Sequence, residues 1–243
     1  MVRNDGRSPR QLRAVKITPN FVRYPEGSVL IELGNTKVLC NATIESGVPR
    51  WFVIQGKKGG WITAEYAMLP RSTHLRTPRE TTGLSGRTQE IRRLIGRSLR
   101  ASVDLDRIGE RTIIVDCDVL QADGGTRSAA ITGGYLALCI ALNKLIQNGA
   151  VADDILIHAV AAISVGLVDQ TPMLDLCYSE DSTADVDMNV VMTEEGDFIE
   201  IQSTAEGIPF DKLTFNQMLD LAANGIAELL NFQKQALTDL LDE

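Results

Sequence analysis

Two short β-rich runs, Val29–Leu33 and Lys37–Ile44, flank the dipeptide Gly34-Asn35. Apolar, β-branched stretches joined by Gly-Asn predict a tight hairpin. Ser46–Gly60 is punctuated by Gly47, Pro49, Gly56, Gly59 and Gly60 and predicts a loop. Trp61–Leu69 alternates and predicts a third strand, whereas Arg71–Gly86 has no apolar periodicity and predicts another loop. From Thr88 to Ser102 the period turns helical. Ile91, Leu94, Ile95 and Leu99 form one stripe; Arg93, Arg97 and Arg100 form another. Arg111–Leu120 then reads as a strand, Ser128–Gln147 as a buried helix, and Ile155–Val168 as a long strand with helical ambiguity at Ala159–Ala162. Leu174–Tyr178, Val186–Thr193 and Phe198–Thr204 predict further strands, and Thr214 to about Asp239 a long amphipathic helix. The pattern is that of an α+β or mixed α/β chain, rich in hairpins, with three main helices.

Composition narrows the class. At 243 residues the chain can bury a sizeable core, and 44% apolar with 23% charged content is ordinary for a globular protein. Its apolar runs, near Ala129–Leu142 and Ile155–Val168, look too short or too interrupted to span a bilayer, and the basic N-terminus does not resemble a signal peptide. No membrane and a cytoplasmic location are the expectation. Cys40, Cys117, Cys139 and Cys177 each sit alone in an apolar run, as reduced thiols do. With only His74 and His158, a multi-histidine metal site is excluded.

The net charge of −8 conceals a division. Residues 1–100 carry 18 Lys+Arg against 7 Asp+Glu, and the remainder carries 6 against 25. A basic surface for phosphates is therefore compatible with an acidic protein. Eight arginines and no lysine lie within residues 71–100. Arginine exceeds lysine where phosphate is gripped by a planar fork, and such a group suits a nucleic-acid backbone without base readout.

Two constellations carry chemistry. Gln121-Ala-Asp-Gly-Gly-Thr-Arg127 falls between a predicted strand and a predicted helix. Glycines at such a turn let backbone N–H groups approach an anion, and the helix start adds free donors and a positive dipole end. Thr126 can either donate to that anion or cap the helix, and Arg127 adds a guanidinium. The second constellation is Glu180-Asp-Ser-Thr-Ala-Asp-Val-Asp187. With Asp175 it puts five acids within thirteen positions. Asp185 and Asp187 alternate at a strand start, so both could face one ion, with Asp181 completing an oxygen set of the kind Mg²⁺ or Mn²⁺ takes. No GxxxxGK[ST] loop, HExxH motif or zinc-finger spacing is present.

Four long motifs in register give the chain a family likeness: Trp61-Ile-Thr-Ala-Glu-Tyr-Ala-Met-Leu-Pro-Arg71, Gly86-Arg-Thr-Gln-Glu-Ile-Arg-Arg-Leu-Ile-Gly-Arg-Ser-Leu-Arg100, Asp116-Cys-Asp-Val-Leu-Gln-Ala-Asp-Gly-Gly-Thr-Arg127 and Glu180-Asp-Ser-Thr-Ala-Asp-Val-Asp-Met-Asn-Val-Val191. They resemble the RNase PH family of phosphorolytic 3′→5′ exoribonucleases, nearly end to end. The resemblance implies a β-rich α/β fold related to domain 2 of ribosomal protein S5, as one domain over residues 1–243. A phosphate- and RNA-binding part would cover about 10–145, and a part with the aspartate pair about 155–225. It implies phosphate as co-substrate, bound by Arg87, Gly125, Thr126 and Arg127. It also implies two essential aspartates at Asp181 and Asp187 with Asp185 nearby, and Mg²⁺ (or Mn²⁺) as the metal. RNA, chiefly the 3′ ends of precursor tRNA, is expected on Arg71, Arg76 and Arg79, with Arg93 and Arg97 on the helix face. A homohexameric ring, a trimer of dimers, is the implied assembly. The loop Val48–Gly60 departs from the family pattern in being longer and more apolar, and touches none of these residues. The competing readings are a non-catalytic RNA-binding ring subunit and a metal-dependent hydrolytic nuclease.

Overall fold

The computed structural model describes residues 3–241. The hairpin predicted around Gly34-Asn35 forms from β2 (Gly27–Leu33) and β3 (Thr36–Ser46), in antiparallel register from Leu33↔Thr36 to Gly27↔Ala42. They belong to a five-stranded sheet with β1 (Val15–Pro19), β4 (Trp61–Met68) and β5 (Arg111–Gln121), in the order β1-β2-β3-β5-β4. Only the β4–β5 pair is parallel. β1 has no counterpart among the predicted strands, although Val15 and Ile17 do alternate with Lys16 and Thr18.

The second sheet has four antiparallel strands, β6 (Val160–Val168), β7 (Thr171–Leu174), β8 (Val186–Thr193) and β9 (Phe198–Ala205), in the order β7-β6-β8-β9. β6 is buried at every position, which is why it reads as an unbroken apolar run. It starts later than predicted: Asp153–Ile155 is a 3₁₀ turn, and Leu156 bridges to Val103.

Five α-helices complete the described residues. α1 (Arg50–Ile54) replaces part of the predicted Ser46–Gly60 loop, because Phe52 buries itself beside Trp51 and Trp61. α2 (Gly86–Arg100) buries the predicted Ile91/Leu94/Ile95/Leu99 stripe. Its arginines do not form one free face. Arg92 and Arg100 donate to the Ala64 and Ile62 carbonyls of edge strand β4, and Arg100 stacks on Trp61 at 4.4 Å. The predicted strand Leu174–Tyr178 does not form: β7 ends at its first residue and α4 (Tyr178–Asp181) begins at its last. The extended chain stops at Leu174 because Asp175 takes a left-handed conformation, φ +53°, with its carboxylate captured in the interior.

α3 (Thr126–Gln147) packs on β2, β3 and β5 of the first sheet and on β6 of the second. Every residue from Ser128 to Leu142 is buried, so the helix needs no polar face. At 22 residues it is long and apolar enough by composition to cross a membrane, contrary to the reading of the Ala129–Leu142 run as too short; its apolar character is spent on the core. α5 (Lys212–Leu241) lies against β6, β7 and β8 and reaches β1. Cys40, Cys117 and Cys139 are buried free thiols, and Cys177 is a half-buried one.

Candidate active site

The Gly124-Gly125 turn leaves β5 and enters α3 with both glycines at positive φ, 74° and 65°. Space adds a second ground against a side chain, decisive at Gly124 and tight at Gly125. A Cβ on Gly124 would lie 2.5 Å from the Leu176 carbonyl, and one on Gly125 3.0 Å from the Arg13 guanidinium. Gly125, and not Thr126, is the helix cap, and it makes no side-chain capping bond. The Thr126 hydroxyl instead meets the Tyr66 phenol at 2.8 Å. Burial pushes that phenol above its ordinary pKa, so it stays protonated and can donate to Thr126 Oγ1. Thr126 then keeps its own proton for a ligand.

This turn forms one wall of a cavity of about 580 Å³. Arg87, from the first turn of α2, and Arg127 line it, together with Asp181 at the end of α4 and Asp187 on β8. The two sheets thus contribute opposite charges to one space: anion-binding groups from the first, carboxylates from the second. Arg127 is steadied from outside the cavity, donating to Gln202 Oε1 at 3.0 Å and lying 3.5 Å from Glu90 Oε1.

Both aspartates are pushed above the usual carboxylate range, first by burial. For Asp187 the neighbouring Asp181 charge adds to the rise, while Arg127, the Asn189 amide and Arg87 oppose it. For Asp181, Arg87, Arg127 and Arg13 oppose the rise. Asn189 donates to Asp187 at 3.3 Å, with its amide oxygen in reach of the Ser128 hydroxyl at 3.4 Å. Asp185 does not join them. It precedes β8, its N–H is paired with Leu167, and its side chain is exposed away from the cavity lining. Alternation with Asp187 applies inside a strand, and the strand begins at Val186. Among the described residues, no three acidic, histidine or cysteine side chains are grouped as a metal site. Two carboxylates facing a cavity that Arg87 and Arg127 also line are a donor set that suits Mg²⁺, which commonly takes one or two carboxylates and fills its shell with other oxygens and water.

The loop after β4 is the other wall, through Thr73, His74, Leu75 and Thr77. Its arginines Arg71, Arg76 and Arg79 are exposed and do not line the cavity. On α2, Arg93 is exposed, while Arg97 is ion-paired with Glu200. Sequence reasoning missed Tyr66, Ser164, Tyr178 and Asn189 as lining or supporting residues. Asn189 falls two residues after Asp187, a same-face spacing that could have marked it; nothing local marked the other three.

The chain matches the 3′ exoribonuclease family over residues 11–142 for its domain 1 and 158–225 for its domain 2. It is also 58% identical to ribonuclease PH of Corynebacterium efficiens over 237 residues, covering 97% of this chain and 96% of that protein. The chain belongs to the ribonuclease PH family. It is a phosphorolytic 3′→5′ exoribonuclease. The fold is shared at lower identity with rice Rrp46 (TM-score 0.78, 19% identity, 97% of this chain and 100% of that one). An archaeal exosome core (TM-score 0.74, 23% identity, 96% and 91%) has it too. So does an Archaeoglobus fulgidus exosome with RNA bound to its active site (TM-score 0.74, 24% identity, 93% and 91%).

Proposed function

We propose that the cavity between the two sheets is where inorganic phosphate attacks the last linkage of an RNA. The observation that carries this reading is the meeting of Arg87, Arg127 and the Gly124–Thr126 turn with Asp181 and Asp187 in one space. Phosphate is held by the two guanidiniums, the Thr126 hydroxyl and the free N–H groups at the start of α3. One of its oxygens bonds to the scissile phosphorus, and the bond from phosphorus to the 3′ oxygen of the preceding nucleotide breaks. The products are a nucleoside 5′-diphosphate and an RNA shortened by one residue with a free 3′ hydroxyl. A phosphoanhydride replaces a phosphodiester, so diphosphates extend RNA in the reverse direction.

The barrier is the approach of two anions, and the arginines lower it by preorganised charge on the nucleophile's side. Asp181 and Asp187 would hold Mg²⁺ (or Mn²⁺), which would supply charge neutralisation at the scissile phosphate. One of the two carboxyls, raised by burial, is suited instead to protonate the leaving 3′ oxygen. The physiological substrate class is the 3′ end of precursor tRNA, and the setting is the cytoplasm. Arg71, Arg76 and Arg79 project from the loop that walls the cavity and hold the RNA backbone upstream of the cut, with Arg93 and Arg97 extending that surface. A hexameric ring built as a trimer of dimers is the proposed assembly. The likeness to exosome cores and the exposed apolar side chains Tyr24, Ile54, Leu75 and Ile208 support it.

The test is incubation of the protein with a precursor tRNA and Mg²⁺, with and without phosphate, followed by separation of released nucleotides. Diphosphates that appear only with phosphate are expected. Monophosphates released regardless of phosphate would refute the reading.

A further inference from the structure

Beneath the Gly124-Gly125 turn, on the side away from the cavity, lies a buried ion pair that neither the family resemblance nor the reaction explains. Arg13 and Asp175 are 5% and 1% exposed. The Arg13 guanidinium donates to both Asp175 carboxylate oxygens, Nη2 to Oδ1 at 2.6 Å and Nε to Oδ2 at 3.0 Å, and the Arg13 N–H donates to Oδ2 at 2.8 Å. Asp175 is held in its left-handed conformation from every side. Its N–H donates to Ser164, and its carbonyl accepts from Arg3 at 2.9 Å and Arg7 at 3.1 Å. A non-glycine residue in that region costs free energy, which persists only where the surroundings over-determine it.

The remaining donors of Arg13 reach the turn itself. Nη1 donates to the Asp123 carbonyl at 2.5 Å, and Nη2 to the Gly124 carbonyl at 3.5 Å. Thr36 adds to the same grip: its hydroxyl donates to the Gly124 carbonyl at 2.7 Å and accepts from the Asp123 N–H at 2.9 Å. In a trans peptide the carbonyl and the following N–H point to opposite sides. Drawing the carbonyls of Asp123 and Gly124 toward Arg13 therefore turns the N–H groups of Gly124 and Gly125 the other way, toward the cavity that both glycines line. Among the described residues those two N–H groups meet no acceptor. Arg13 and Asp123 border a separate groove on the far side of the turn.

We infer that the Arg13–Asp175 pair, with Thr36, is the positioning device of the phosphate site: it aims the Gly124 and Gly125 N–H groups at the anion and ties their turn to the second sheet. The inference rests on the phosphorolytic reading of the cavity. Asp175 follows β7 and precedes α4, the helix that ends in Asp181. One carboxylate thereby sets the spacing between the phosphate cradle and the aspartate that faces it. Arg13 and Asp175 touch no substrate atom; they act through the turn.

Three variants of the full-length enzyme test this. Arg13→Lys keeps the positive charge beside Asp175 but loses the fork to the turn carbonyls. Thr36→Val is nearly isosteric and removes both Thr36 hydrogen bonds to the turn, along with the 3.4 Å bond it accepts from Arg13 Nη1, without removing a charge, so it carries the test if Arg13→Lys does not fold. Gln233→Leu is the control: Gln233 is buried on α5 and donates to the carbonyls of Thr132 and Val160, but bonds neither Asp175 nor the turn. Rates are measured against phosphate and RNA concentration separately. Arg13→Lys and Thr36→Val are expected to raise the KM for phosphate about five-fold or more, leaving kcat within two-fold and the KM for RNA unchanged. Gln233→Leu is expected to lower the melting temperature without moving the KM for phosphate. An unchanged phosphate KM in folded Arg13→Lys or Thr36→Val overturns the inference, as does an equal change in Gln233→Leu. A wild-type enzyme indifferent to phosphate refutes the functional reading instead, and that control is run first.

Discussion

Replacing Tyr66 with Phe removes one oxygen from the interior and leaves the ring in place. Tyr66 is 4% exposed on β4, and among the described residues the one hydrogen bond of its phenol is the 2.8 Å bond to Thr126 Oγ1. No cavity forms, so the change isolates a single hydrogen bond, worth about 1 kcal/mol net. That loss first appears as a small drop in stability. Its second effect is on function, because the Thr126 hydroxyl is no longer obliged to accept from Tyr66 and its proton is no longer aimed at the anion. If half or more of the bond's worth is expressed in ligand orientation, phosphate affinity falls about two- to five-fold, since 1.4 kcal/mol is a factor of about ten. The assay is initial rate of diphosphate release across a phosphate series at saturating RNA, with urea unfolding run in parallel. A KM for phosphate raised in that range, with the KM for RNA unchanged, is expected. Loss of stability with no change in phosphate KM would show that Tyr66 only packs, and would remove the orienting role assigned to it.

Arg87→Ala should raise the phosphate KM at least ten-fold while leaving RNA binding intact; a normal phosphate response would remove Arg87 from the site. Asp187→Asn should abolish turnover yet stabilise the apoprotein near pH 7–8. Asp187's folded pKa lies above its ordinary 3.8, so its favourable protonated state is lost as pH rises, and the ionised form is a burden at neutral pH that asparagine lacks. The difference in melting temperature should shrink as pH falls below about 4, where the carboxyl becomes protonated in both folded and unfolded chains; a gain that grows in acid would contradict the sign. Gly133→Ala, though better for a helix, puts a methyl 2.6 Å from Ile31 Cγ2 and 3.0 Å from Cys40 Sγ, and should cost about 1–3 kcal/mol in urea unfolding. A stabilised protein would mean that α3 has slack against β2.

Elements whose burial is one-sided were legible from pattern alone, as the periodic stripes of β3, α2 and α5 show, and Gly34-Asn35 marked the turn that joins β3 to the almost fully buried β2. α3 and β6 were legible as apolar runs, but nothing in such a run states what covers it. The failures have a common cause in long-range polar contacts. Leu174–Tyr178 has strand-like composition, yet Asp175 turns the chain because arginines more than 160 residues away claim its carboxylate and carbonyl. Asp185 looked equivalent to Asp187 by alternation, and one residue of strand boundary separates a cavity carboxylate from a solvated one. The turn proposed to hold phosphate was readable because its residues are contiguous, from Gly124 to Arg127, whereas Arg87 joins them from α2. Tyr66, which orients Thr126, comes from a different strand, and only the fold brings it there.

α3 has a consequence for how the chain is made. The helix is complete at Gln147, before β6, the strand that covers its second side and whose Ala162 N–H pairs with the Thr132 hydroxyl. A nascent chain that has cleared the ribosome only to that point displays an apolar flank with nothing to cover it, long enough to be mistaken for a membrane anchor. Fragments cut near residue 150 should therefore aggregate or engage chaperones rather than fold. The two segments by which the family is described thus share a helix that neither can shelter alone.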